Sequence, residues 1–346
     1  AVPSGQISDR LGRRYSLAIG GLISGLGKLW CAAASSYPEV IIARFVAGFG
    51  AGLVVTTGQI VLADITTPER RGRMLALYQG TFIFAVGIGP FPGGLLAEHY
   101  GLNAPFVASG LAALGAMSVA WFGVSETRNL TKSRIPSASG PVRIGFIDQV
   151  RLVTAKLGFA LISSIVLMGA IVRTGGMFTV IPILARDRLA LSVGSIGFAL
   201  MLGSVAGLLT AYPLGWLTDR YGRKAVIVPA TLISGSSMVL YCLAPNYAWF
   251  VAASLVWGMA ISALGTAPAA YAVDSAPAGM NAAAMSIFRM IADVGYIAGP
   301  LALGLVADVF GAATALALAA ALIIVAGLAF ALFAPETYRG RAAEKT

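Results

Sequence analysis

The chain has 346 residues, 58% hydrophobic and only 11% charged, with 24 Lys and Arg against 14 Asp and Glu for a formal net charge of +10. So little polar surface excludes a water-soluble globule of this size and places the chain in a membrane. One His and two Cys, with no Gly-rich phosphate cradle, zinc spacing or nucleophile–base pair, argue against an enzyme, ATP-driven chemistry or any cofactor.

Apolar runs of about 20 residues, long enough to cross a ~30 Å hydrocarbon core as helices, recur along nearly the whole length. In chain order they read as ten complete spans, at 15–36, 38–63, 74–97, 103–124, 157–184, 193–215, 225–244, 247–273, 282–307 and 311–334. The fold class is all-α integral membrane. Ahead of the first span stands the cationic phrase Gly5-Gln6-Ile7-Ser8-Asp9-Arg10-Leu11-Gly12-Arg13-Arg14, with Ala1 to Ile7 reading as the stub of an earlier span. The second span carries Arg44 in Arg44-Phe45-Val46-Ala47-Gly48-Phe49-Gly50, and Asp64 stands at its far end. The third span holds Gly87-Ile88-Gly89-Pro90-Phe91-Pro92-Gly93-Gly94, in which Pro90 and Pro92 break the hydrogen-bond ladder and the glycines admit a neighbouring backbone. Residues 127–145, rich in Ser, Pro, Gly and Arg, read as a flexible linker. Arg173 lies at the middle of the fifth span, and the sixth leads into Gly215-Trp216-Leu217-Thr218-Asp219-Arg220-Tyr221-Gly222-Arg223-Lys224. Asp274 follows the eighth span. Arg289 and Asp293 stand four apart on the ninth, ahead of Gly299-Pro300.

The two cationic phrases lie 210 residues apart (219 − 9), and the same offset pairs Asp64 with Asp274, Gly89-Pro90 with Gly299-Pro300, Gly101 with Gly311 and Glu126-Thr127 with Glu336-Thr337. A period this long reads as two whole bundles of one fold. The second phrase follows two spans that begin near Lys156, whereas the first follows almost nothing. The repeat therefore implies about 54 residues ahead of Ala1 (210 − 156), and six spans per half. The expected boundaries are a bundle at 1–126, a linker at 127–155, a bundle at 156–337 and a tail at 338–346.

Alternate loops hold 18 of the 24 Lys and Arg, which sets both phrases, the central loop and the C-terminus on the cytoplasmic side. Anionic headgroups then account for the +10 charge, and no nucleic acid is needed. Within each phrase, Gly5 or Gly215, with Pro3 or Pro213, lets the helix end, Gly12 or Gly222 permits a tight turn, and Asp and Arg offer a latch. The partners on the same side are Asp64 and Asp274. The expected clusters are thus Asp9–Arg13–Asp64 and Asp219–Arg223–Asp274, flanked by Arg10, Arg14 and Arg220; the plainer alternative is that these cations only anchor the topology.

The phrase matches G-x-x-x-D-R-x-G-R-[RK] in both halves, and on these residues the chain resembles a major facilitator superfamily transporter. The resemblance implies a substrate site between two six-helix bundles that rock in alternating access, with the loop signature closing the cytoplasmic side. Arg44-Phe45-Val46-Ala47-Gly48-Phe49-Gly50 is similar to that family's fourth-helix signature R-x-x-x-G-x-G, which implies a role for Arg44 in proton movement; the alternative is an arginine that snorkels to the headgroups. The G-P-x-x-G-G core at Gly89, Pro90, Gly93 and Gly94 resembles the family's proton-driven exporters rather than its uptake systems.

Charged groups deep in spans are functional hypotheses. Lys28, Arg44, Arg173 and Arg289 are the deep cations and Asp293 the one deep acid. Asp293 either pairs with Arg289 along the helix or opens to a cavity and carries the coupled proton. Arg173 is the cavity candidate for substrate. Four deep cations to one acid favour a neutral or anionic amphiphile as cargo. Cys31 and Cys242 read as packing residues, and His99 as a surface residue. The expected function is a proton-coupled antiporter exporting small hydrophobic molecules, with an uptake symporter or facilitator for a sugar or organic acid as the alternative. The expected partners are substrate, protons and membrane lipids, for a multi-pass monomer in the inner or plasma membrane.

Overall fold

In hydrocarbon a backbone built from Ala, Leu, Val, Ile and Gly has one open-ended way to satisfy its own polar groups, the helix. The computed structural model describes residues 11–66, 74, 78, 81–82, 84–127, 146–277 and 280–336, and the regular structure among them is helical. Nine helices among the described residues are long and apolar enough to cross a membrane. Of the span expected at 74–97, residues 75–77, 79–80 and 83 lie outside the description, and 84–88 and 90–97 are helical. Contacts divide the chain into two units, Ala1–Val86 with Pro92–Pro141 and Gly87–Phe91 with Val142–Thr346.

The first unit contains α1 (Arg13–Ala33), α2 (Tyr37–Ile65), α3 (Pro90–Tyr100) apart from its first two residues, and α4 (Ala104–Gly123). α1 is the centre of this unit because its glycines face both neighbours. Gly20 and Gly27 meet Val54 and Ala47 of α2, while Gly21 and Gly25 meet Met117 and Leu114 of α4. Lipid tails are as apolar as leucine, so close backbone approach supplies the van der Waals energy that holds such helices together. Pro38 enters α2 at its first turn, and Glu39 accepts from the Trp30 indole at 2.8 Å and the Ser35 amide at 3.0 Å, which fixes the short α1–α2 connection.

The second unit contains α5 (Phe146–Thr154), α6 (Leu157–Ile171), a π-helical stretch (Val172–Val180), α7 (Ile181–Leu189), α8 (Val193–Tyr221), α9 (Arg223–Leu243), α10 (Tyr247–Asp274), α11 (Asn281–Phe310) and α12 (Ala312–Phe333). One buried cluster gathers Met177, Tyr241, Phe250 and Leu316, and another Phe159, Tyr271, Phe288 and Phe330. α8 and α10 cross at Gly203 and Gly258, each lying against backbone of the other helix.

The repeat is visible in the backbone. Gly12 and Gly222 have φ of +99° and +95°, and Gly101 and Gly311 have +89° and +87°, two pairs at the sequence offset of 210. Only glycine adopts this region without strain, so each marks a sharp turn into a helix.

Two boundaries differ from the sequence reading. α8 does not end near Pro213 but runs through it to Tyr221, so Gly215, Asp219 and Arg220 are helical and the break falls at Gly222. A proline costs one backbone hydrogen bond, which packed membrane helices tolerate; the positive-φ glycine ends the helix outright. The fifth span, expected to end at 184, runs on as α7 to Leu189, with Arg186 and Arg188 in its last turn, where cations suit the negative end of the helix dipole, and Ala190, at φ 50°, turns the chain out. The expected linker carries α5 at its end, whereas 128–145 lie outside the described residues.

Candidate functional site

Gly12 turns the chain into α1, leaving the first amides of that helix without partners. The Glu126 carboxylate takes them, accepting from the Arg13 amide at 3.0 Å and the Arg14 amide at 3.3 Å. A negative charge there also complements the helix dipole. A Cβ on Gly12 would collide with that carboxylate, so the turn and the cap both exclude any other residue. The Arg13 side chain then runs to the end of α2, where its Nε donates to Asp64 Oδ2 at 3.2 Å. Thr127 Oγ1 donates to the same oxygen at 3.2 Å. The pair is buried, with side-chain exposures of 7% for Arg13 and 6% for Asp64. One cluster thereby ties the start of α1, the end of α2 and the chain leaving α4, and Arg14 lies 5.5 Å from the Trp121 ring of α4.

The second unit repeats the latch in a more open form. Arg223 Nε is 3.2 Å from Asp274 Oδ2, but the side chains are 23% and 34% exposed. Lys224 donates to the Ala334 carbonyl at 2.7 Å and Tyr271 to the Pro335 carbonyl at 2.5 Å, so the chain leaving α12 is again tied to its neighbours. Arg220 stacks over Trp216 at 5.0 Å. Gly215 faces open space. Gly5, Asp9 and Arg10 lie outside the described residues, as does the Asp219 side chain, so the structure brings together two of the three members expected in each cluster. Glu126 and Thr127 are members that motif reading missed. Their signal was present in the Glu-Thr pairs that recur at the repeat offset.

Arg44 of α2 is exposed, with its guanidinium carbon 4.8 Å from the Phe106 ring. Its repeat equivalent, Ser254, is buried and accepts from the Tyr241 hydroxyl at 2.8 Å. Arg289 and Asp293 on α11 are both exposed, and no ion pair within 4.0 Å joins them, so the intrahelical pairing weighed above is not formed. Arg173 is half-buried in the π-helical stretch, next to Gly175, which lies against the Gly299 carbonyl of α11. π turns leave the ordinary ladder and occur mostly at functional sites; nothing in the hydrophobic pattern announced this one. The helix breaks at Gly89 and α3 begins at Pro90, with Gly94 buried and Gly93 facing open space. Gly87 and Pro90 group with the second unit, against Ser204 and Gly197. Cys31 and Cys242 are free thiols.

The profile of the Major Facilitator Superfamily matches residues 1–207 and, overlapping them, 164–346, so it covers the whole chain. The chain belongs to the Major Facilitator Superfamily. As a member it is a multi-pass membrane transporter and not an enzyme. It is 22% identical over 330 residues to an uncharacterized MFS-type transporter of Methanocaldococcus jannaschii, covering 94% of this chain and 83% of the relative. It is 25% identical to the gallate transporter of Pseudomonas putida, over 87% of this chain and 72% of that one. To the multidrug resistance protein MdtL of Shewanella oneidensis it is 22% identical, over 65% of this chain and 54% of that one. Among solved structures, a D-xylose–proton symporter superposes with a TM-score of 0.74 at 17% identity, covering 96% of this chain and 84% of that one. This superfamily fold fits two repeated units whose helix-start glycines coincide at one offset.

Proposed function

We propose that this superfamily transporter is a proton-coupled antiporter that exports small hydrophobic molecules through the inner or plasma membrane, with its C-terminus in the cytoplasm. The observation that carries the alternating-access part is the latch formed twice, Arg13–Asp64 and Arg223–Asp274, each beside a positive-φ glycine. An ion pair that ties helix ends together in one state and releases them in another is the bistable element a rocking transporter needs. Export is supported by the break at Gly89-Pro90 and by similarity to a multidrug resistance protein. In this reading Asp293 carries the proton, Arg44 and Arg289 take part in proton movement, and Arg173 faces the cargo. Exposure of Asp293 beyond reach of Arg289 supports its assignment. Similarity to a gallate transporter favours a second reading, uptake of an organic acid with protons.

The test reconstitutes the full-length protein in liposomes under an imposed pH gradient and follows internal pH as hydrophobic candidates are added. Antiport moves protons opposite to substrate, and Asp293→Asn leaves substrate binding intact while abolishing proton movement. Protons travelling with the substrate would give the case to uptake, and an Asp293→Asn protein that still couples would remove Asp293 from the mechanism.

A further inference from the structure

The first unit carries two cations on adjoining stretches of α1 and α2. Lys28 stands five residues before the end of α1 and Arg44 seven residues after the start of α2. At 1.5 Å per residue, that is about 8 Å and about 10 Å from the helix ends. The contacts of Gly27 with Ala47 and of Gly110 with Leu29 bring α1, α2 and α4 together beside Lys28, Arg44 and Phe106. Like charges at this depth repel and lose hydration, which is costly unless an anion joins them. Among the described residues no acid does so. The nearest along α2, Glu39, has both oxygens engaged by Trp30 and Ser35. Arg44 Cζ lies 4.8 Å over the Phe106 ring, and a guanidinium held over an aromatic face can still offer N–H donors to a planar oxyanion.

The repeat supplies an internal control. At the offset of 210, Lys28, Arg44 and Phe106 correspond to Met238, Ser254 and Leu316, all buried in the second unit's core. The same helix pair therefore packs with neutral residues, and the fold does not require the cations.

We propose that Lys28 and Arg44, floored by Phe106, form a membrane-embedded oxyanion site for the carboxylate or phosphate head of an amphiphile, supplied either by an anionic lipid or by an acidic organic solute. The assignment stands apart from the export reading, because occupancy is measured without flux. The purified full-length protein in neutral detergent is titrated with dioleoylphosphatidylglycerol, with dioleoylphosphatidylcholine, with 1-naphthoate and with uncharged 1-naphthalenemethanol. The wild type binds at least one anionic probe in preference to its uncharged counterpart. The Lys28→Met, Arg44→Ser double variant, which installs the second unit's own residues, binds that probe at least about tenfold more weakly, as loss of a charge-assisted hydrogen bond predicts. Arg44→Lys keeps the charge but loses the planar N–H edge, and binds that probe more weakly than the wild type and more tightly than the double variant. Preference for phosphatidylglycerol alone makes a lipid headgroup the occupant; preference for naphthoate alone makes it a solute. A wild type indifferent to charge, or a folded double variant that binds the anions as tightly as the wild type, overturns the proposal.

Discussion

Asp64→Asn destabilises the first unit by about 3 kcal/mol, the lower end of the range for breaking one partner of a buried ion pair. The substitution keeps the shape and an acceptor for Thr127, so the loss reports the charge alone. Arg13 stays in place with a side chain only 7% exposed, and the Glu126 carboxylate is engaged by the α1 amides. The matching substitution Asp274→Asn costs about 1 kcal/mol or less, since a partly solvated pair gains little; Arg223 and Asp274 are 23% and 34% exposed. Reversible unfolding of the full-length protein in mixed micelles, read by tryptophan fluorescence, compares the two. Arg13→Met combined with Asp64→Leu recovers most of the loss, because an apolar pair leaves no orphaned charge. Equal costs at Asp64 and Asp274 would show that burial of the first latch has no energetic consequence. On the alternating-access reading proposed above, the same asymmetry predicts that the first latch opens at a higher free-energy cost than the second.

A methyl group at position 258 is expected to cost about 3 kcal/mol or more, the upper range for overpacking, because it meets backbone rather than a movable side chain. The Gly258 Cβ position collides with the Gly203 carbonyl, while Gly203 lies against the Ser254 carbonyl, so α8 and α10 touch main chain to main chain. Gly169→Ala on α6 is the control. A Cβ there meets no atom within 4 Å, and alanine gains up to about 1 kcal/mol over glycine inside a helix. The two Gly→Ala variants thus shift stability in opposite directions in the same unfolding assay. A Gly258→Ala protein as stable as the wild type would mean that the α8–α10 crossing can spread at no cost.

How far these features could be read from sequence follows from the range of the forces involved. The repeat was legible because identical local chemistry recurs at one spacing: the turn glycines Gly12 and Gly222 demand a positive φ wherever they stand. The Arg13–Asp64 and Arg223–Asp274 partners were legible for a similar reason, since span counting put them at the same membrane face. The roles of Glu126 and Thr127 were not, because capping of α1 by residues 113 and 112 positions away depends on how α4 returns to α1. The end of α8 is expected at 215, near Pro213, because proline weakens a helix locally, whereas the helix runs on to Tyr221 and stops at the positive-φ Gly222.

The amino-acid sequence by itself determined the solvent, the helical class, the twofold repeat and the superfamily, because hydropathy, backbone satisfaction in lipid and turn glycines are local properties summed along the chain. Only the tertiary structure decided that one latch is buried and its copy partly open, that Arg289 and Asp293 do not pair, that Arg173 rides on a π-helical stretch, and that Arg44 lies against Phe106. Each of these depends on distance and burial between helices, and the inward pull of a glycine seam or the screening of an ion pair is set by neighbours that the linear order does not name.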